Sequence, residues 1–215
     1  MIAVLTGDMV SSRSIPNKSR WLRQLQEIIE KRSGLTKTPK WSVFRGDGFQ
    51  VELPQPSDAL RLAVLIRAGL RSMPAFSKLK LDARIAIGIG EKGYTGKSVN
   101  ESDGQAYLWS GSLLDSLMHE NHRLQVNTPW PTIDQPVNVA LKLASAIIDD
   151  WTFAEAEVVW LKLSEGKTQD QMAKKLKISQ PAVHKRYASS HYNELSALIS
   201  YFESTVSEAV MKPGK

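Results

Sequence analysis

The chain has no cysteine, which excludes disulfide bridges, thiolate nucleophiles and cysteine-based zinc sites. It also has no apolar run of the ~18 residues that a membrane-crossing helix requires. The first residues, MIAVLTGDMV, lack the basic start and small-residue exit of a signal peptide. These absences predict a soluble, cytoplasmic protein without a membrane partner. Internal repeats and low-complexity tracts are lacking too, which excludes solenoids and disordered tails of biased composition. What remains is ordinary globular composition, with 42% apolar and 23% charged residues over 215 positions, enough for one large domain or two small ones. Lys and Arg number 28 against 22 Asp and Glu, a net charge of +6, compatible with phosphate or nucleic-acid ligands but equally with solubility alone.

The basic excess is local. Between positions 167 and 186, Lys167, Lys174, Lys175, Lys177, Lys185 and Arg186 face only Asp170. The spacing divides the chain near Asp149 to Thr152, giving a sheet domain over 1–150 and a helical domain over 151–215. In the first domain, Ile2 to Thr6 reads as a strand, and Ser19 to Arg32 as a helix carrying Trp21, Leu22, Leu25, Ile28 and Ile29 at helical spacing. Trp41 to Phe44 and Phe49 to Leu53 flank Arg45-Gly46-Asp47-Gly48, the composition of a tight hairpin. A helix follows to Leu70, then a strand over Leu81 to Gly90, a helix over Asp103 to Met118 and a strand over Arg123 to Asn127. That order predicts an α+β fold, a ferredoxin-like or palm-type sheet with helices on one face. Right-handed crossovers place the first strand beside the hairpin and bring Asp8 close to Asp47. Paired carboxylates at strand ends repel unless a cation neutralises them, and hard oxygen ligands suit Mg²⁺.

These residues resemble the catalytic domain of class III nucleotidyl cyclases, and the arrangement over 1–128 looks like the SatD family related to that fold. The resemblance implies that Asp8 and Asp47 hold Mg²⁺, and that Met9, Val10, Ser11, Ser12 and Arg13 form a loop cradling nucleotide phosphates. It also implies that Gly46 belongs to the metal-bearing hairpin and that Glu101 reads the base. The cyclase Asn and Arg that orient the ribose and stabilise the pentavalent phosphorus would fall at Leu108 and Ser112, neither of which supplies positive charge. The base-reading Lys position is Val43. Without an arginine clamp, unless Arg13 or Arg84 replaces it, efficient cyclisation is not expected. The implied domain is a degenerate relative that binds a nucleotide or keeps only the scaffold. His119 and His122 lack an accompanying acid pair, so no metal role is assigned to them.

In the second domain Thr152 can cap a helix bearing Ala156, Val159, Trp160 and Leu163 and stopping at Gly166. Thr168 caps Gln169 to Leu176, Lys177-Ile178-Ser179 forms a turn, and Ser179 caps a third helix with Pro181 in its first turn. This segment strongly resembles the helix-turn-helix of LuxR-type regulators and of sigma-factor region four. The resemblance puts Ala173 at the helix crossing, Ile178 in the apolar turn position and Val183 where the recognition helix is locked. Gln180, His184, Lys185 and Arg186 would then read or approach bases in double-stranded DNA, while Lys174, Lys175 and Lys177 meet phosphates. The stripe Tyr192, Leu195, Leu198, Ile199, Phe202 and Val206 either packs on the first domain or pairs two chains. The reading that uses both halves is a bacterial DNA-binding transcriptional regulator, expected to be a homodimer, whose cyclase-like domain senses a nucleotide or mediates dimerisation. An Mg²⁺-dependent nucleotidyl-transfer enzyme and a protein-interaction scaffold are the alternatives.

Overall fold

A computed structural model describes residues 1–10, 18–32, 34–35, 37–44, 46–120 and 122–212. Five strands form one mixed sheet: β1 (Ile2–Met9), β2 (Lys40–Phe44), β3 (Gly48–Leu53), β4 (Ala83–Gly90) and β5 (Leu124–Asn127). Their spatial order is β2-β3-β1-β4-β5, antiparallel except for the β4–β5 pair. The first four follow the ferredoxin-like order, in which each strand–helix–strand unit leaves a gap filled by a strand from the other. β1 runs three residues further than its apolar pattern suggests, because Gly7, Asp8 and Met9 keep pairing with Phe49, Gly48 and Ala83 on either side.

Period-two alternation decides what each strand residue faces. Ala3, Leu5 and Met9 point into the main core with Phe49, Val51, Ile85 and Ile87. That core is closed by α1 (Lys18–Glu27), which continues through a π-helical turn at Ile28–Arg32, and by α2 (Ala59–Arg71). The opposite face is covered as well, contrary to the expectation of helices on one face only. Val4 packs there with Ala106 and Tyr107, and Ala86 with Leu114 and Leu117, all from α3 (Gln105–Leu117). Approach is closest at Gly88, where an added Cβ would stand 2.2 Å from the Ala106 carbonyl oxygen. The sequence signal was the run Ala86, Gly88, Gly90 on one side of β4, small residues that leave room for a helix backbone.

α4 (Pro131–Asp150) leads into four further helices, α5 (Phe153–Glu165), α6 (Gln169–Leu176), α7 (Gln180–Ser189) and α8 (Tyr192–Met211). α5 is apolar on two sides. Ala156, Val159 and Leu163 join the main core, whereas Val158 and Leu161 form a second core with Met172, Ala173 and Val183. The stripe on α8 resolves in favour of packing within the chain, since Leu195, Ile199, Phe202 and Val206 are buried in the main core. Among the described residues, no helix is long and apolar enough to cross a membrane.

A buried ionic cluster joins the layers. Asp82, immediately before β4, is fully buried and accepts hydrogen bonds from Arg67 Nε at 2.9 Å, Arg67 Nη2 at 2.7 Å, Arg71 Nη1 at 2.9 Å and Arg123 Nη1 at 2.7 Å. Arg67 also donates to Asp149, and Arg71 Nη2 donates to the Asp149 and Trp151 carbonyl oxygens at 2.8 and 2.7 Å. Arg71 thereby satisfies carbonyls at the end of α4 that the helix leaves without partners. Trp151 in turn donates its indole N–H to the Ser190 carbonyl oxygen at 2.9 Å. A chain of direct contacts runs from α2 to the C-terminal end of α7.

Candidate functional site

Alternation on β1 turns Thr6 and Asp8 toward α3, on the side away from Met9. There they line a cleft of about 390 Å³ with Gln50, Asp47, Phe44 and, from α3, Asp115. Cross-strand pairing puts Asp8 between Gly48 and Arg84, and the Asp47 carbonyl oxygen accepts the Met9 N–H at 3.1 Å. The two aspartates are therefore neighbours. Burial pushes the Asp8 carboxyl above the usual carboxylate range and Asp47 adds to the rise, while Arg84 opposes it. Arg84 Nη1 lies 3.4 Å from Asp8 Oδ2, and Asp8 Oδ1 is buried without a hydrogen-bond partner. An orphaned carboxylate oxygen next to a second carboxylate fits a hard cation such as Mg²⁺, with water or phosphate oxygens completing its shell. Arg84 already supplies part of the counter-charge. No cluster of three or more acidic or histidine ligands occurs among the described residues, so the protein's own donors would fill only part of such a shell.

Of the phosphate cradle implied by the cyclase resemblance, only Met9 and Val10 lie among the described residues. Met9 is 2% exposed, its side chain lies in the main core, and its N–H is taken by Asp47. The Val10 N–H donates to the Asp82 carbonyl oxygen at 2.9 Å. Both amides are thus occupied by backbone partners. Ser11, Ser12, Arg13 and the hairpin residue Arg45 lie outside the described residues. Gly46, at a φ of +82°, shapes the hairpin turn without lining the cleft. Glu101 also does not line it, and instead accepts the Lys97 N–H at 3.3 Å in a turn beside β2. Leu108 and Ser112 face solvent, so α3 presents Gly111, Leu114, Asp115 and Met118 to the cleft instead. Helical periodicity, with Asp115 four residues after Gly111 and three before Met118, is the signal that could find Asp115.

The C-terminal helices begin and end where their capping residues dictate. Thr152 and Glu155 form a capping box on α5, Thr168 and Gln171 form one on α6, and Ser179 Oγ accepts the Ala182 N–H at 3.3 Å on α7. Gly166 ends α5 in the left-handed region at a φ of +62°, which glycine adopts without a Cβ penalty. Met172, Ala173 and Val183 are buried between the helices, with Leu176 and Ile178 packed against them. On the outer side of α7, Gln180, Pro181, His184 and Lys185 are exposed, as are Lys174, Lys175 and Lys177 on α6 and the turn.

Three of the seven candidate DNA-contacting residues are otherwise engaged, Gln180 among them, whose Nε2 donates to Gln169 Oε1 at 3.3 Å. Arg186 is half-buried and its Nη1 donates to Glu157 Oε2 at 3.2 Å, which ties α7 to α5. Lys175 Nζ donates to both carboxylate oxygens of Glu165, at 2.6 and 2.8 Å. Lys174, Lys177 and Lys185 have no acidic partner among the described residues and project as three free cations. No model of a known protein family matches the chain, and no curated protein sequence matches it.

Proposed function

We propose that the protein is a cytoplasmic transcriptional regulator that binds double-stranded DNA through α6, the following turn and α7. The observation that carries this reading is the open outer side of α7. It combines a capped N-terminus with an exposed Gln180, His184 and Lys185, flanked by Lys174 and Lys177, which have no acidic partner among the described residues. The first turn of such a helix enters a major groove, where Gln reads adenine, while the lysines neutralise phosphates and fix the register. Fluorescence anisotropy on labelled duplexes at increasing salt tests it: log K should fall linearly with log salt concentration. Absence of binding to any duplex at low salt overturns it.

The sheet domain is read as a degenerate relative of the nucleotidyl cyclases that senses a nucleotide. Support comes from the Asp8–Asp47 pair and the orphaned Asp8 Oδ1. Asp8 and Asp47 would hold Mg²⁺, which when bound would draw phosphate oxygens to the cleft. MgATP and MgGTP at a hundredfold excess over Kd should stabilise the fold by about 2.7 kcal/mol in a thermal-shift measurement. The shift should disappear with EDTA and in Asp8→Asn. Equal shifts with and without Mg²⁺ would remove the metal from this reading.

Pairing of two chains suits a helix-turn-helix reading two half-sites. Its support is an apolar strip on the outside of α4, where Val139 and Leu143, one turn apart, are 66% and 67% exposed. Leu143→Glu should convert a dimer to a monomer in sedimentation analysis. A wild-type protein that sediments as a monomer at tens of micromolar would exclude this interface.

A further inference from the structure

A second concavity lies on the other side of the molecule, between α1 and the C-terminal helices. It measures about 440 Å³, within the roughly 300–1,000 Å³ of small-molecule sites, and it sits at a junction of two packed units, where such sites concentrate. One wall is the polar face of α1. Arg20, Arg23, Gln24 and Glu27 recur at i, i+3, i+4 and i+7, while Trp21, Leu25 and Ile28 on the reverse face are buried in the core. The facing wall is largely apolar, built from Trp160 and Leu161 of α5, Leu176 of α6 and the Met73-Pro74-Ala75 segment after α2.

The charges in this groove are unevenly satisfied. Glu157 on the far wall is held by Arg186, and Lys175 at the rim by Glu165. Arg20 and Arg23 are exposed and have no hydrogen-bond or ion-pair partner among the described residues. Adjacent guanidinium groups match a carboxylate, sulfonate or phosphate monoester in forked geometry, and the indole and aliphatic wall opposite suits an apolar or aromatic body. We propose that this groove binds a small organic anion, its charged group on Arg20 and Arg23 and its apolar body against Trp160. Burial raises the Glu157 carboxyl above the usual range despite Arg186, which lessens the repulsion an incoming anion meets from that wall. The site stands apart from the Asp8 cleft and does not depend on the DNA-binding reading. A phosphodiester backbone is the competing occupant, but it has no apolar body to fill the wall that Trp160 and Leu176 build.

The probe is anilinonaphthalene sulfonate, an aromatic anion, titrated into the full chain beside its neutral counterpart phenylnaphthylamine. The expected result is one saturable site whose affinity falls roughly tenfold or more in Arg20→Ala/Arg23→Ala, with a neutral counterpart that binds at least tenfold more weakly. Both arginines are exposed, so the variant should melt as the wild type does. In NMR titration the indole N–H of Trp160, assigned through Trp160→Phe, should shift, while those of Trp41 and Trp130 stay fixed. Equal binding of the two dyes, an unchanged affinity in the double variant or a stationary Trp160 signal would overturn the proposal. So would stoichiometric displacement of the dye by duplex DNA, which would make the groove part of a nucleic-acid surface.

Discussion

Asp82→Asn should lower the free energy of unfolding by about 3–5 kcal/mol, because a neutral amide leaves buried guanidinium groups without their main counter-charge. Asp82 takes four hydrogen bonds from Arg67, Arg71 and Arg123, and its own Oδ1 accepts the Ala83 N–H at 2.8 Å. Asn keeps the shape but loses the charge and presents donors to donors. Denaturant titration read by circular dichroism measures the loss. The same carboxylate sets an acid limb. Burial alone would raise its pKa, but the arginines outweigh burial and hold it at about 2, below the ordinary 3.8. A group depressed in the folded state stabilises fully above its unfolded pKa and loses that contribution as pH falls toward the folded value. Wild type should therefore lose on the order of 2 kcal/mol between about pH 4 and pH 2 from this group, a segment that Asp82→Asn should lack.

The triple variant Lys174→Ala/Lys177→Ala/Lys185→Ala should bind duplex DNA on the order of 10²-fold more weakly at 0.15 M salt. Each neutralised phosphate contributes about 0.9 to the salt slope, so losing three contacts should reduce the slope by about 2.7. Arg186 is left intact because its bond to Glu157 braces α7, and its removal would mix a folding defect with a binding defect. Gln180→Ala makes a contrasting case. It should alter preference at one base position by about 1–3 kcal/mol and leave the salt slope unchanged. A triple variant with unaltered affinity and slope would show that α6 and α7 do not face the duplex.

Legibility from sequence differed between the two halves for physical reasons. Helix ends in the C-terminal segment follow from local chemistry, since Thr152, Gly166, Thr168 and Ser179 act on backbone groups within three or four residues. The place of the first strand beside the hairpin follows from connection rules and is equally accessible. The placement of α3 was not, because it rests on the backbone approach at Gly88, and a glycine in a strand signals closeness without naming the neighbour. The double role of α5 is half-legible: its spacing marks the stripe Ala156, Val159 and Leu163, while Val158 and Leu161 on its reverse give no comparable signal. The ionic cluster is not legible as a unit, although α2 holds a clue. Arg67 and Arg71 stand four residues apart in a helix that is otherwise apolar almost all round, a setting in which charges need buried partners. The partners Asp82, Arg123 and Asp149 come from distant segments that no spacing rule connects.

α5 belongs to two packed layers at once, and this has a mechanical consequence. A head joined by a loose tether can adjust its reach, but one whose first helix is a wall of the neighbouring core has no slack. In a symmetric pair of such molecules the separation of the two reading helices would be fixed by the body, like the jaws of a calliper. One extra base pair between half-sites swings the second away by about a tenth of a turn, and a calliper of this build would have no play with which to follow it.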